Sequence, residues 1–257
     1  MSRFVDKLNQ VSQAVPQPMG FRAAQLGSPI PRMLLIASLP QANVDGLADY
    51  VAGADAGLLP ISKLSSGAKT LKEVYQVVSD IPWGGWLRDI GRGEINQVVK
   101  AGCDFVVFPE ASALLAVLQN DEVGKILQVE VSLSEGLLRA VDELPVDGVL
   151  IAGEQESDYF LTWHHLMIFQ RFADLLTKPL LVGVPSNVTA NELQALWEAG
   201  VDGVVVEVEV DQPAGRLNEL RQVINELTFP LRKRVKAEVL LPYIGGKTGV
   251  ETEEEGE

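Results

Sequence analysis

The stretch EAGVDGVVVEVEVD, Glu198–Asp211, ends in three acids spaced two apart. Glu207, Glu209 and Asp211 alternate with Val206, Val208 and Val210. In a strand, such alternation sends acids to one face and valines to the other. Carboxylates that share a face can bind cations, and a partly desolvated one can move protons. Further groups suited to chemistry recur at the ends of apolar runs. Lys63 stands in LLPISKLSSG, where it could form a Schiff base or hold an anion, or be an exposed loop lysine. Arg88 precedes Asp89 beside Trp83 and Trp86; it could clamp a carboxylate or phosphate, or pair with Asp89 or Glu110. Glu110 follows an apolar run as a candidate acid or base, and Glu154 opens the acidic segment AGEQESD. Glu130, within LQVEVSLSEG, reads as an inward polar residue of a strand. A divalent metal could use Glu110, Glu154 and Glu207, since hard cations take oxygen ligands, but no ligand spacing demands one.

The elements that must position these groups alternate along the whole chain. Short runs rich in Val, Ile and Leu read as strands near residues 33–39, 56–61, 85–90, 105–109, 128–133, 148–152, 180–184 and 203–208. Segments of helical spacing lie between them, such as KTLKEVYQVVSDI, SALLAVLQNDEVGKI and TANELQALWEAG. In the last of these, Thr189 and Glu192 have the spacing of a capping box. An aspartate introduces the second, fourth, sixth and eighth strands: Asp55, Asp104, Asp147 and Asp202. Pro31, Pro82 and Pro179 introduce three of the odd ones. A unit of two strands and two helices repeated four times predicts an α/β fold, the (β/α)8 TIM barrel, over an open doubly wound sheet. An N-terminal helix around residues 3–15 is expected to plug one end. Residues 1–30 then form the N-terminal helix and lead-in, 31–229 the barrel, and 230–257 a C-terminal extension with an acidic tail.

In such a barrel the helix layer is apolar, so the valines of strand eight belong outside and Glu207 faces the axis at the C-terminal mouth. Glu209 and Asp211 either continue that face or lie in a solvated loop. The two histidines, His164 and His165, fall in TWHHLMIFQRFADLL, read as an amphipathic helix behind the barrel and away from chemistry.

The chain has 257 residues and is 47% hydrophobic, enough for a large core. A net charge of -14 disfavours nucleic acid and anionic membrane as partners. One cysteine, Cys103, excludes an internal disulfide and a Cys-rich metal site. No signal-peptide core or membrane-length apolar run stands out, so a cytoplasmic location is expected. Within the extension, apolar Val239–Ile244 needs cover from the barrel or from a second subunit, which would make a homo-oligomer.

The stretches LLIASLPQANVDG, GADAGLLP and WLRDIGRGEINQVVKAGCDFVVFPE resemble the ribulose-phosphate-binding barrels, most nearly the indole-glycerol-phosphate synthase branch. The resemblance spans roughly 33–211. The branch carries a catalytic lysine between the arginine and aspartate of its third strand; here Arg88 and Asp89 are adjacent. Its first strand carries a Glu-x-Lys pair; here Ala37, Ser38 and Leu39 stand there. The synthase activity is therefore not expected. The resemblance implies a phosphate held by backbone amides after strands seven and eight. Ser186 and Asn187 could present donors near a helix N-terminus. Glu207 opposes this, because a carboxylate about 4 Å from a phosphate charge costs roughly 4 kcal/mol at an effective dielectric of 20. Two functions follow as expectations. One is binding of a small anionic or phosphorylated metabolite at the mouth, with lyase or isomerase chemistry by Lys63, Glu110 and Glu207 and binding by Arg88, Glu154, Ser186 and Asn187. The other is a barrel without catalysis that serves binding, scaffolding or assembly.

Overall fold

Eight parallel strands close on themselves in chain order, each paired with the next and the last with the first. The computed structural model describes residues 2–13, 31–40, 46–61, 64–87, 95–111, 120, 122–152, 159–208 and 215–226. After α1 (Arg3–Ser12), the order is β1 (Leu34–Ser38), α2 (Leu47–Tyr50), β2 (Ala56–Ile61), α3 (Leu64–Val77), β3 (Trp83–Leu87), α4 (Ile95–Lys100) and β4 (Phe105–Pro109). It continues with β5 (Gly124–Val129), α5 (Glu135–Glu143), β6 (Gly148–Ile151), α6 (Trp163–Leu175), β7 (Leu180–Val184), α7 (Ala190–Glu198), β8 (Gly203–Glu207) and α8 (Arg216–Glu226). This is the (β/α)8 barrel that the repeat predicts. The C-terminal extension, with Val239–Ile244, lies outside the described residues. Among the described residues, no helix is long and apolar enough to cross a membrane.

Alternation along each strand divides the core in two. Leu34, Ile36, Leu58, Val107, Ile126, Leu150, Leu181 and Val205 pack in the interior. Leu35, Ala37, Leu59, Val106, Leu127, Val149, Val182, Val204 and Val206 pack outward against the helices. The amino end of the interior is closed by α1. Its buried residues Phe4, Leu8 and Val11 join the inner cluster, and Phe4 stacks on Phe105 with ring centroids 4.0 Å apart. Glycines make the room: a Cβ on Gly124 would lie 2.6 Å from a Val5 methyl, and one on Gly148 would lie 3.1 Å from Leu8.

The repeated aspartates work at this same end. The carboxylates of Asp55, Asp147 and Asp202 each accept the backbone N–H of the preceding strand's Leu35, Lys125 or Leu180, all at 2.8 Å. Each aspartate's own N–H returns to that same residue's carbonyl. With its backbone N–H donating and its carboxylate accepting, each of these three aspartates thus ties an odd strand to the next even one. Asp104 departs from the pattern. Its N–H donates to the Trp83 carbonyl, but its carboxylate turns to α1 and accepts the Ser2 hydroxyl at 2.7 Å and the N–H groups of Arg3 and Phe4 at 2.9 and 2.8 Å.

Three readings need correction. The third strand is Trp83–Leu87, two residues earlier than expected, which puts Trp86 inside. The fifth is Gly124–Val129, four residues earlier, so the end of SALLAVLQNDEVGKI is strand and not helix. Glu130 consequently lies beyond the strand and is exposed, not an inward core residue, because the chain turns there with Leu133 N–H donating to the Glu130 carbonyl.

Candidate functional site

The inner faces of β3 and β5 meet near the mouth. The Trp86 indole N–H donates to Gln128 Oε1 at 2.8 Å, spanning β4 above Val107. That bond turns the Gln128 amide oxygen toward Trp86. Beyond it, over the carboxyl ends of β5, β6 and β7, lies a cavity of about 380 Å3. Its floor is Gln128, Ile151, Ala152 and Gly183; Glu130 and Ser132 edge it after β5. The first two turns of α6 supply His164, His165, Ile168 and Phe169.

The histidines reach the mouth because of how α6 starts. Thr162 is its N-cap, and His165, three residues on, closes a capping box. The Thr162 N–H donates to His165 Nδ1 at 3.0 Å, and the His165 N–H donates to Thr162 Oγ1 at 3.4 Å. With Nδ1 accepting, Nε2 carries the proton of the neutral ring. A helix that follows a barrel strand begins at the carboxyl end of that strand, so first-turn side chains stand at the mouth. The position behind the barrel expected for His164 and His165 is thereby corrected. Tyr159 completes a row of rings. Its hydroxyl donates to the Gly183 carbonyl at 2.9 Å, its ring meets His165 edge-on at 6.0 Å, and His165 stacks on Phe169 at 6.3 Å.

Glu130 lines this cavity, and a second carboxylate, Glu110, is close enough to interact with it. Glu110 follows β4, its N–H donating to the Gln128 carbonyl at 3.0 Å. Glu130 follows β5, and the Ser132 hydroxyl donates to its Oε2 at 3.2 Å. Partial burial holds the Glu110 carboxyl above the ordinary glutamate range. The Glu130 backbone N–H opposes that shift, and the Glu130 charge adds to it.

Of the other residues expected at the site, Glu207 ends β8 on the side of inward Val205, pairs in register with Ser38, and is exposed. It borders a small recess of about 10 Å3 with Tyr50 and Arg216, too small for more than one water. Arg216 is engaged there: it donates to the carbonyls of Ser186 at 2.9 Å and Val188 at 2.8 Å, and pairs with Glu219 at 3.1 Å. Ser186 and Asn187 form the turn between β7 and α7, Asn187 exposed. The α7 N-terminus carries the expected capping box. Glu192 accepts from the Thr189 N–H and hydroxyl, both at 2.7 Å, and the Glu192 N–H donates to Thr189 Oγ1 at 3.3 Å. A carboxylate therefore already occupies that helix end. In strand order Glu110 and Glu207 lie opposite one another, so the structure brings together Glu110 and Glu130, not Glu110 and Glu207. Lys63, Arg88, Glu154, Glu209 and Asp211 lie outside the described residues. Among the described residues, no three His, Cys, Asp or Glu side chains gather as metal ligands.

Sequence reasoning missed Gln128, Tyr159, His164, His165 and Phe169. The signal for the histidines was the Thr-x-x-His spacing, which marks the helix start.

Solved structures with this fold include thiamine phosphate pyrophosphorylase from Pyrococcus furiosus, at 15% identity and TM-score 0.57, matched over 76% of this chain and 96% of that one. Orotidine 5'-phosphate decarboxylase from Pyrococcus horikoshii OT3 is similar at 13% identity and TM-score 0.58, over 76% and 100%. The tryptophan synthase A-subunit from Pyrococcus furiosus follows at 12% and 0.57, over 76% and 97%. These likenesses show the fold, the one implied by the resemblance to ribulose-phosphate-binding barrels. No family model and no curated protein matches the chain.

Proposed function

We propose that this barrel binds a small organic metabolite in the cavity over β5, β6 and β7, and that Glu110 moves a proton to or from it. The cavity carries the reading. Its volume of about 380 Å3 falls within the range of metabolite sites. It lies at the carboxyl ends of the strands, where barrels of this kind keep their chemistry. Its wall combines apolar surface with a few polar groups, the usual make-up of a small-molecule site. Glu110, with its proton affinity raised by partial burial, is suited to general acid–base work of the lyase or isomerase type.

Two of the similar structures carry phosphate in their names. A phosphorylated ligand here would draw on Lys63 and Arg88 and on the turn at Ser186 and Asn187. The Glu192 capping box and exposed Glu207 weigh against an anion on that side of the mouth.

The chain has two histidines, both on this cavity, so their imidazole NMR signals report its occupancy. Titration with neutral 2-phenylethanol and with ribose 5-phosphate is the test. Saturable movement of the His164 and His165 signals by either probe supports the reading, and the difference between the two decides whether the ligand is phosphorylated. Signals unmoved by both at millimolar concentration would overturn it, and the barrel would then be a scaffold.

A further inference from the structure

The charge inside the cavity is one-sided. Among the described residues lining it, Glu130 is the one acidic side chain, set among the imidazoles of His164 and His165. No lysine or arginine is among the described lining residues. Arg171, on the nearby face of α6, is directed elsewhere: it donates to the Leu133 carbonyl at 2.7 Å and lies 5.9 Å from the Phe172 ring centre. Glu110 adds a second acid at the same edge, close enough to interact with Glu130. The remaining wall is apolar or aromatic, with Val129, Ile151, Ile168 and Phe169 beside the Tyr159 and His165 rings.

Resting on the reading that this cavity binds a small molecule, we infer that its ligand is a small organic cation, an amine on an apolar or aromatic body, with the ammonium at Glu130 and the body against Tyr159, His165 and Phe169. An anion at this place would meet Glu130 and Glu110 with no cation among the described lining residues to offset them. A neutral ligand would leave the Glu130 carboxylate without use. An ammonium gains a charge-assisted hydrogen bond and the negative faces of the aromatic rings. The Ser132 hydroxyl, 3.2 Å from Glu130 Oε2, restrains the carboxylate so that less freedom is lost on binding.

The test uses three probes of nearly equal shape on the full chain, followed by the His164 and His165 signals: phenethylamine, neutral 2-phenylethanol and anionic phenylacetate. Phenethylamine should bind about fivefold more tightly than 2-phenylethanol, the size of a well-placed but solvent-accessible ion pair. Phenylacetate should bind more weakly than either. In Glu130→Gln the preference for the amine should vanish while 2-phenylethanol binds as before, which also shows that the variant is folded. In the parent, added salt should shrink the preference. Equal binding of all three probes, or a preference that survives Glu130→Gln, would overturn the inference and leave the cavity reading intact. Tighter binding of phenylacetate would also overturn it. No response to any probe would overturn both readings.

Discussion

Replacing Asp104 with alanine should loosen α1 from the amino end of the barrel without detaching it. The carboxylate accepts three hydrogen bonds, two of them from first-turn N–H groups that have no partner within the helix. Losing the shared acceptor of two helix-start N–H groups costs about 1–2 kcal/mol, and the lost Ser2 hydroxyl bond about 1 more. The sum is roughly 2–3 kcal/mol. Against this stands the burial of Phe4, Leu8 and Val11, which contributes on the order of 1.5–3 kcal/mol for each side chain. Packing therefore exceeds the latch, and α1 should stay docked. For a chain of this size each kcal/mol moves the melting temperature by roughly 2–4 °C, so Asp104→Ala should melt about 4–12 °C lower. Hydrogen exchange locates the loss. If α1 opens on its own, its amides should exchange roughly 30- to 150-fold faster, which is 2–3 kcal/mol expressed as an equilibrium, while β5 and β6 hardly change. Phe4→Ala, costing about 3–5 kcal/mol, should loosen α1 further than Asp104→Ala does. Equal acceleration in α1 and in the strands would refute the argument, since Asp104 would then be tying β3 to β4 as the other three aspartates tie their strand pairs. An unchanged melting temperature would refute it as well.

Gly124→Val should displace α1 more severely than Asp104→Ala, because its side chain would overlap Val5, Ser2 and Phe105; retained α1 protection in hydrogen exchange would count against this packing. Glu110→Gln should stabilise the fold at neutral pH. The folded carboxyl holds its proton above the ordinary glutamate value, so the parent loses stability as pH rises from that value through the raised one, and the glutamine does not. The variant should melt above the parent at pH 7 and level with it near pH 3.5, below both values; a gap independent of pH would reject that cause. Cys103 is buried, its thiol donates to the Phe105 carbonyl at 3.0 Å, and burial pushes its pKa up to about 12. It should be inert to a thiol reagent in the native state and react at the rate of unfolding, and fast native labelling would contradict its position.

Much of the fold was legible because several independent signals agreed. The four aspartates, Thr189 with Glu192, and the apolar spacing of Phe4, Leu8 and Val11 each did locally what the barrel requires globally. The fifth strand was misplaced for a physical reason. Val129 and Val131 alternate with Glu130 and Ser132, so the pattern runs past the point where the backbone turns. At the other end Lys125 looks like a surface residue, yet it is buried in the strand. The cavity was hidden because its walls come from three strands and the first turns of α6, separated in sequence. Only Thr162 recorded that His164 and His165 begin a helix and do not lie in the middle of one.

The acids of strand eight carried the sequence argument, yet burial decides otherwise. Outward Val204 and Val206 take the helix layer and leave Glu207 the inner side, and there the strand has already reached solvent. A carboxylate so exposed is screened by water and has little to distinguish it from any surface acid. Glu110 follows β4 and is partly withdrawn from water, with Glu130, which lines the cavity, close enough to interact with it. Desolvation and a like charge are what lift a carboxyl toward the pH at which it can both give and take a proton. Acids thus stand on both sides of the mouth, and the walls around them move the site from the end of β8 to the cavity over β5, β6 and β7.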